Sequence, residues 1–257
     1  RVLFRSEPIC KNCRICREWV RPPGDNIASA DMPDRFNQSV EGDFMFIGDV
    51  VIFHLICRCT RWHYARQCAS RETAEVIDTV AFWIGVHGPM RELIIDGETC
   101  VRKAHEWEAF LSRYTIKYTP RPVQAHVAII DRRTALWKEA WHKMITQLRK
   151  EGIQIHPLLL VQEITFAGNA LISINGATPY NAVYGRTPNI LPDMCNYDIQ
   201  NPDDATTTPF SRRHVHRYRE LAVQMILEGT AAARVDRVLK TRTLSSGEAK
   251  DLKPHDL

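Results

Sequence analysis

The sequence predicts an α/β protein in which a mixed sheet carries helices packed against it. Three observations predict this. Two apolar runs, residues 44–47 and 50–56, are separated only by Gly48-Asp49, the pattern of a β-hairpin. Helix-period and short strand-like segments then alternate between residues 72 and 119. Long helical patterns close the chain over residues 127–150, 158–174 and 213–240.

Each element has its own signal. Asp43 opens the first strand, and Gly48-Asp49 turns the chain into the second. Residues 62–68 read as a third strand. Val76, Ile77, Val80 and Ile84 recur at helical spacing over 72–86, and His87-Gly88-Pro89 ends that helix. Residues 92–95 form a short buried strand, 102–113 a helix and 116–119 another strand. Leu136, Trp137, Trp141, Met144, Ile145 and Leu148 give the helix over 127–150 an apolar face. Residues 175–211 are rich in Pro and Asn and read as irregular. The last helix runs over 213–240, and a polar tail follows from Ser245.

The chain has 257 residues, enough for one substantial domain with appendages. A net charge of +4 says little about a polyanionic partner. Between Arg212 and Arg242, however, eight basic residues face three acidic ones, which suits either a nucleic-acid contact or a solvated helix face. No apolar run reaches the roughly 20 residues of a membrane span, so no membrane partner is expected. Three of the eight cysteines crowd at Cys10, Cys13 and Cys16, and the rest sit mostly in apolar runs. That distribution reads as a metal cluster plus reduced core thiols in an intracellular compartment.

Three aspartates carry the chemical signal. Asp43 lies at the first strand, Asp96 ends the run Leu93-Ile94-Ile95, and Asp131 follows Ile129-Ile130. Between them lie 52 and 34 residues. An ionised carboxylate beside a buried strand is costly unless it is paired or binds a cation. Three such groups on adjacent elements can hold two divalent ions, the apparatus of phosphodiester chemistry. Oxygen ligands with open positions suit Mg²⁺ or Mn²⁺. Other readings exist: Asp96 before Gly97 suits a turn, and Asp131 in a first helical turn suits the helix dipole. Asp49 competes with Asp43 but belongs to the hairpin turn, and Glu98 supports the loop beyond Gly97.

At these residues the chain resembles the integrase of LTR retrotransposons and retroviruses. The spacing of the three carboxylates matches that family, and further segments carry the likeness. They are Cys59-Thr60-Arg61-Trp62-His63, Trp83 through Gly88-Pro89, Leu93 through Glu98, Gln124-Ala125-His126, and Thr178-Pro179-Tyr180-Asn181-Ala182-Val183-Tyr184-Gly185-Arg186-Thr187-Pro188. The resemblance spans residues 10–193 and, more loosely, the basic helix. It implies a partial zinc module and linker over 1–36, an RNase H-like catalytic core over 37–193, and a linker, basic helix and tail over 194–257.

The resemblance further implies a nuclear polynucleotidyl transferase cut from a Pol polyprotein. Such an enzyme processes the 3′ ends of element DNA, joins them to target DNA, and works as a homo-oligomer. Asp43, Asp96 and Asp131 would be its catalytic, Mg²⁺- or Mn²⁺-binding triad. Gln124, His126, Arg132 and Lys138 would contact DNA. His126 also suits a helix start, and Lys138 a surface lysine beside Trp137. Cys13 and Cys16 match half of the family's zinc module, with Cys10 a competing ligand at the same spacing. Zn²⁺ needs four ligands, so a zinc site is expected only if upstream residues supply the others. Two positions depart from the pattern: Asp131 stands where the family has Glu, and Cys57 where it often has Asp. They leave a second reading open, a catalytically decayed, DNA-binding relic.

Overall fold

The N-terminal strand is longer than its apolar run. β1 spans Ser39–Ile47 and pairs antiparallel with β2, Val50–Cys57, through the Gly48-Asp49 turn, where Gly48 takes a positive φ of 56°. Asp43 therefore sits mid-strand, a correction to the expectation that it opens the strand. Its first residues escaped the sequence pattern because Ser39, Glu41 and Gly42 are not apolar. They are buried all the same, and Glu41 makes a 3.0 Å ion pair with Arg58. β3, His63–Cys68, β4, Glu92–Asp96, and β5, Lys117–Arg121, complete a five-stranded sheet in the order β3-β2-β1-β4-β5. β4 and β5 run parallel to β1. β5 is an edge strand and carries Pro120 opposite Ile95.

In the computed structural model the described residues are 32–96, 105–121, 128–174, 176–191 and 212–240. The chain divides into a unit of Asp31–Gly229 and a second of Arg1–Ala30 with Thr230–Leu257. The described part of the second unit is helical over 230–240. The sheet and the candidate site belong to the first unit.

Strand alternation sorts the core of that unit into two layers. Val40, Phe44, Phe53, Leu55, Leu93 and Ile95 share one cluster with α1, Thr73–His87, and α2, His105–Arg113. Met45, Ile47, Ile52 and Ala65 share the other with α3, Ala128–Lys150, and α4, Pro157–Leu171. Trp137, Trp141 and Met144 deliver the apolar face of α3 to that second layer. A short helix α5, Pro179–Tyr184, corrects the irregular reading of 175–211 in its described part. The Thr178 side chain accepts from Asn181 N–H at its start, and Gly185 ends it with φ 67°.

The last helix, α6, Arg212–Lys240, contributes Tyr218, Leu221, Ala222, Met225 and Ile226 to the second layer. Two of its arginines are committed to carboxylates of the same unit. Arg217 bonds both oxygens of Glu151, at 2.9 and 2.6 Å, and that pairing, with a smaller contribution from Gln147, holds the Glu151 carboxyl down to about 2. Arg219 pairs with Glu163 and lies 4.0 Å over the Phe166 ring. The basic excess read from the sequence is thus partly spent on packing. Among the described residues, no helix is long and apolar enough to cross a membrane.

A polar seam crosses the second layer. His54 and His63 are fully buried, with Nδ1 of the first 3.0 Å from Nε2 of the second. The Asn169 side chain brackets His63, accepting from its N–H at 2.9 Å and donating to its carbonyl at 2.7 Å. Burial, and then the charges of Arg133 and Lys138, lower His54 to about 3. Burial, and then His54 and Arg133, hold His63 well below its ordinary value.

Both histidines are neutral in the folded chain and titrate near 6.5 when unfolded. Below that pH the unfolded state takes up protons that the folded state refuses, so stability falls as pH drops from 6.5 toward 3. Urea unfolding is expected to lose about 2 kcal/mol per histidine between pH 7 and pH 5. A flat urea midpoint across that window would show that the pair is not buried and neutral. Gly42 gives a packing prediction. A Cβ there would lie 3.0 Å from Leu55 Cδ2 and from Phe53 Cζ, whereas one at Gly85 meets nothing within 4 Å. Gly42→Ala is expected to cost about 1–3 kcal/mol and Gly85→Ala to be neutral or slightly stabilising, both read from thermal melts.

Candidate catalytic site

The parallel register of β1 and β4 places the first two aspartates. Its last pair is Gly42↔Ile95, and the next residue on each strand is Asp43 and Asp96. Adjacent strands lie about 4.8 Å apart, so the two backbones hold the aspartates at neighbouring positions. Asp96 is the last residue of β4, at the carboxyl end of the parallel strands, where open α/β sheets build their sites. Asp43 is half-buried, and its Oδ1 accepts from the Phe44 N–H at 2.8 Å. Its strand partner on the other side is His54.

His54 connects this point to the third aspartate. Its Nε2 lies 3.3 Å from Thr134 Oγ1 in α3. Asp131 is three residues earlier, the fourth residue of the helix, and is half-buried. The first turns of α3 therefore lie over the Asp43–His54 pair. The positive end of the helix dipole favours a carboxylate in that turn. Asp131 thus has a local reason to be acidic, three residues before the helix meets His54.

The other sequence-derived candidates divide. Arg132 is exposed on α3. Lys138, half-buried one turn beyond Thr134, is close enough for its charge to act on His54. Arg133, the sequence neighbour of Arg132, is buried. Its Nη2 donates to the Arg61 carbonyl at 3.1 Å, and a Cβ at Gly168 would come within 2.9 Å of its Nη1. Burial, and secondarily the charge of Arg61, lower its pKa to about 10. Lys143 is tied to Glu139 at 2.6 Å. Asp49 is exposed in the hairpin turn. Cys57 is buried in the layer of α1 and α2, away from the face shared by His54 and Thr134, and it is a free thiol. Cys10, Cys13, Cys16, Glu98, Gln124 and His126 lie outside the described residues.

Among the described residues no three His, Cys, Asp or Glu side chains form a metal-binding group. The Asp96 side chain is outside that set. The donor chemistry of Asp43, Asp96 and Asp131 is all carboxylate oxygen, which fits a hard divalent ion such as Mg²⁺. The sequence reading missed His54, His63 and Thr134. A histidine inside Val-Val-Ile-Phe-His-Leu-Ile was the available signal, because a polar group in an apolar strand needs a buried partner.

No protein-family model and no curated protein matches the chain. Solved structures do resemble it. The simian T-cell lymphotropic virus intasome in complex with PP2A regulatory subunit B56 gamma aligns with a TM-score of 0.52 at 13% identity, covering 73% of this chain and 68% of that one. The HTLV-2 integrase catalytic core in complex with magnesium, in its dimeric form, gives 0.48 at 13% identity over 56% of this chain and 94% of that one. The catalytic core of BIV integrase gives 0.47 at 14% identity, over 56% and 92%. With the sheet order and the flanking helices, the likeness to the intasome chain establishes the architecture: this chain has the RNase H-like fold of a retroviral integrase catalytic core.

Proposed function

We propose that the chain is a retroelement integrase core that processes the 3′ ends of element DNA and joins them to target DNA. The observation that carries this reading is the β1–β4 register, in which Asp43 and Asp96 follow the last pair on adjacent strands, together with the contact of α3, three residues after Asp131, on His54, the β2 partner of Asp43. Asp43, Asp96 and Asp131 would hold two divalent ions, which lower the pKa of a bound nucleophile and offset charge on the leaving oxygen. A water oxygen bonds to phosphorus as the bridging P–O bond near the element's 3′ end breaks. The freed 3′-hydroxyl then attacks a target phosphodiester in the same way, losing its proton as the target strand's 3′-oxygen leaves. No enzyme nucleophile is required. Arg132 and Lys138 would grip DNA phosphates, and copies of the chain would act together on two DNA ends.

A second reading is favoured by one residue. Asp131 is one methylene shorter than the glutamate the resemblance leads one to expect, and misplacement of about 1 Å can cost on the order of 100-fold in rate. On that reading the chain binds DNA as a catalytically decayed relic.

A strand-transfer assay with Mn²⁺ and pre-cut DNA ends separates the two. The parent chain is expected to join DNA, Asp43→Asn to lose about 100-fold or more, and Asp131→Glu to gain about tenfold. If neither the parent nor a normally folded Asp131→Glu joins DNA, the enzyme reading is wrong and the relic stands. Lys138→Ala is expected to weaken DNA binding and to reduce the slope of log affinity against log salt by about 1. An unchanged slope would remove Lys138 from the interface.

A further inference from the structure

The turn of α3 that carries Asp131 is held from beneath by a hydrogen-bond chain whose direction can be assigned. The Thr134 hydroxyl donates to the Ile130 carbonyl at 2.9 Å, and that carbonyl can only accept. Its single hydrogen is then committed, so at 3.3 Å it must accept from His54 Nε2–H. His54 Nδ1 is left as an acceptor, and His63 Nε2–H donates to it at 3.0 Å. The remaining His63 nitrogen, Nδ1, is buried and meets no acceptor among the described residues, in keeping with its being the unprotonated nitrogen of a neutral ring. Asn169 fixes His63 through both of its backbone groups. The chain thus runs His63 to His54 to Thr134 to the carbonyl immediately before Asp131.

A second tie holds the same turn. Arg133, two residues after Asp131, donates to the carbonyl of Arg61, which adopts a left-handed φ of 62°. The two ties reach α3 from different points of the chain: one from His54 within β2, the other from Arg61 in the β2–β3 connection. None of the four tying side chains, His54, His63, Thr134 and Arg133, is needed as a metal ligand or a DNA contact.

We propose that Thr134 and His54 are positioning residues for Asp131. Their relay, with Arg133 on the Arg61 carbonyl, sets the height and rotation of the first turns of α3 over Asp43. The inference rests on the reading of Asp131 as the third metal ligand. It further predicts that the site's metal affinity depends on a hydroxyl that touches no metal.

Two measurements on the full chain test it: backbone hydrogen exchange across residues 128–134, and Mn²⁺ titration followed by electron paramagnetic resonance. Thr134→Val keeps the shape and removes the hydroxyl; Thr134→Ser restores it. Thr134→Val is expected to speed exchange in the first turns of α3 about tenfold while the central strands are unchanged, and to raise the Mn²⁺ half-saturation about fivefold. Thr134→Ser is expected to return both to parental values. Unchanged exchange in Thr134→Val overturns the proposal. So does unchanged Mn²⁺ affinity when the parent binds the ion and Asp43→Asn does not. A parent whose Mn²⁺ binding is indifferent to Asp43→Asn sinks the proposed function instead, and the exchange data then decide by themselves whether the relay positions the turn. Should Thr134→Val melt below the assay temperature, Thr134→Ala makes the same test.

Discussion

Four backbone pairs, from Ser39↔Glu92 to Gly42↔Ile95, join the N-terminal hairpin to the β4–β5 half of the sheet. Every later feature is built on that seam. Side chains reinforce it at its start: Ser39 and Thr119 donate to the two Glu92 oxygens at 3.1 and 2.7 Å. Burial would raise the Glu92 acid, but these bonds and the Lys117 charge outweigh it and lower it. Asn37, just before β1, reaches the carbonyls of His87 and Gly88 and accepts from Trp83 Nε1–H, which ties the strand's entry to the end of α1. With the start of the seam pinned, a slip of register at its other end is costly, and Asp43 and Asp96 remain in step.

The space around the seam is equally constrained. Gly42 is the last residue before Asp43, and its missing side chain lets Phe53, Leu55 and Ile95 close over the strand. Behind Asp43, by contrast, the layer beneath α3 carries a polar seam where apolar packing would have been simpler. Two neutral histidines, an arginine and an asparagine are buried there. Such groups weaken a core unless each is satisfied, and they define geometry where they are. The arrangement exchanges some stability for a fixed relation between helix and sheet.

Much of this was legible in the sequence. The hairpin, the alternating segments and the long helix came from periodicity, and α1 ends at the glycine that the pattern marked. The three aspartates stood out because charge beside an apolar run demands a reason. What the sequence hid was burial of polar groups. Ser39, Glu41 and Gly42 mask four strand residues because their partners are distant: Glu92 lies 53 positions beyond Ser39. Arg133 looks like its neighbour Arg132, and only the packing of α4 through Gly168 separates a buried cation from an exposed one. The short α5 was obscured by the Pro- and Asn-rich composition around it, although Thr178-Pro179 and Gly185 are its own start and stop signals.

Pro120 in the outer strand β5 has a consequence for how copies of this chain can meet. An edge strand offers its free backbone groups to any other strand that approaches, but proline supplies no N–H and its ring crowds an incoming chain. The β5 side of the sheet is therefore a poor template for extension by a neighbour. Assembly through continuous sheets is disfavoured at that border, and a strand joining this sheet would have to do so at the β3 edge.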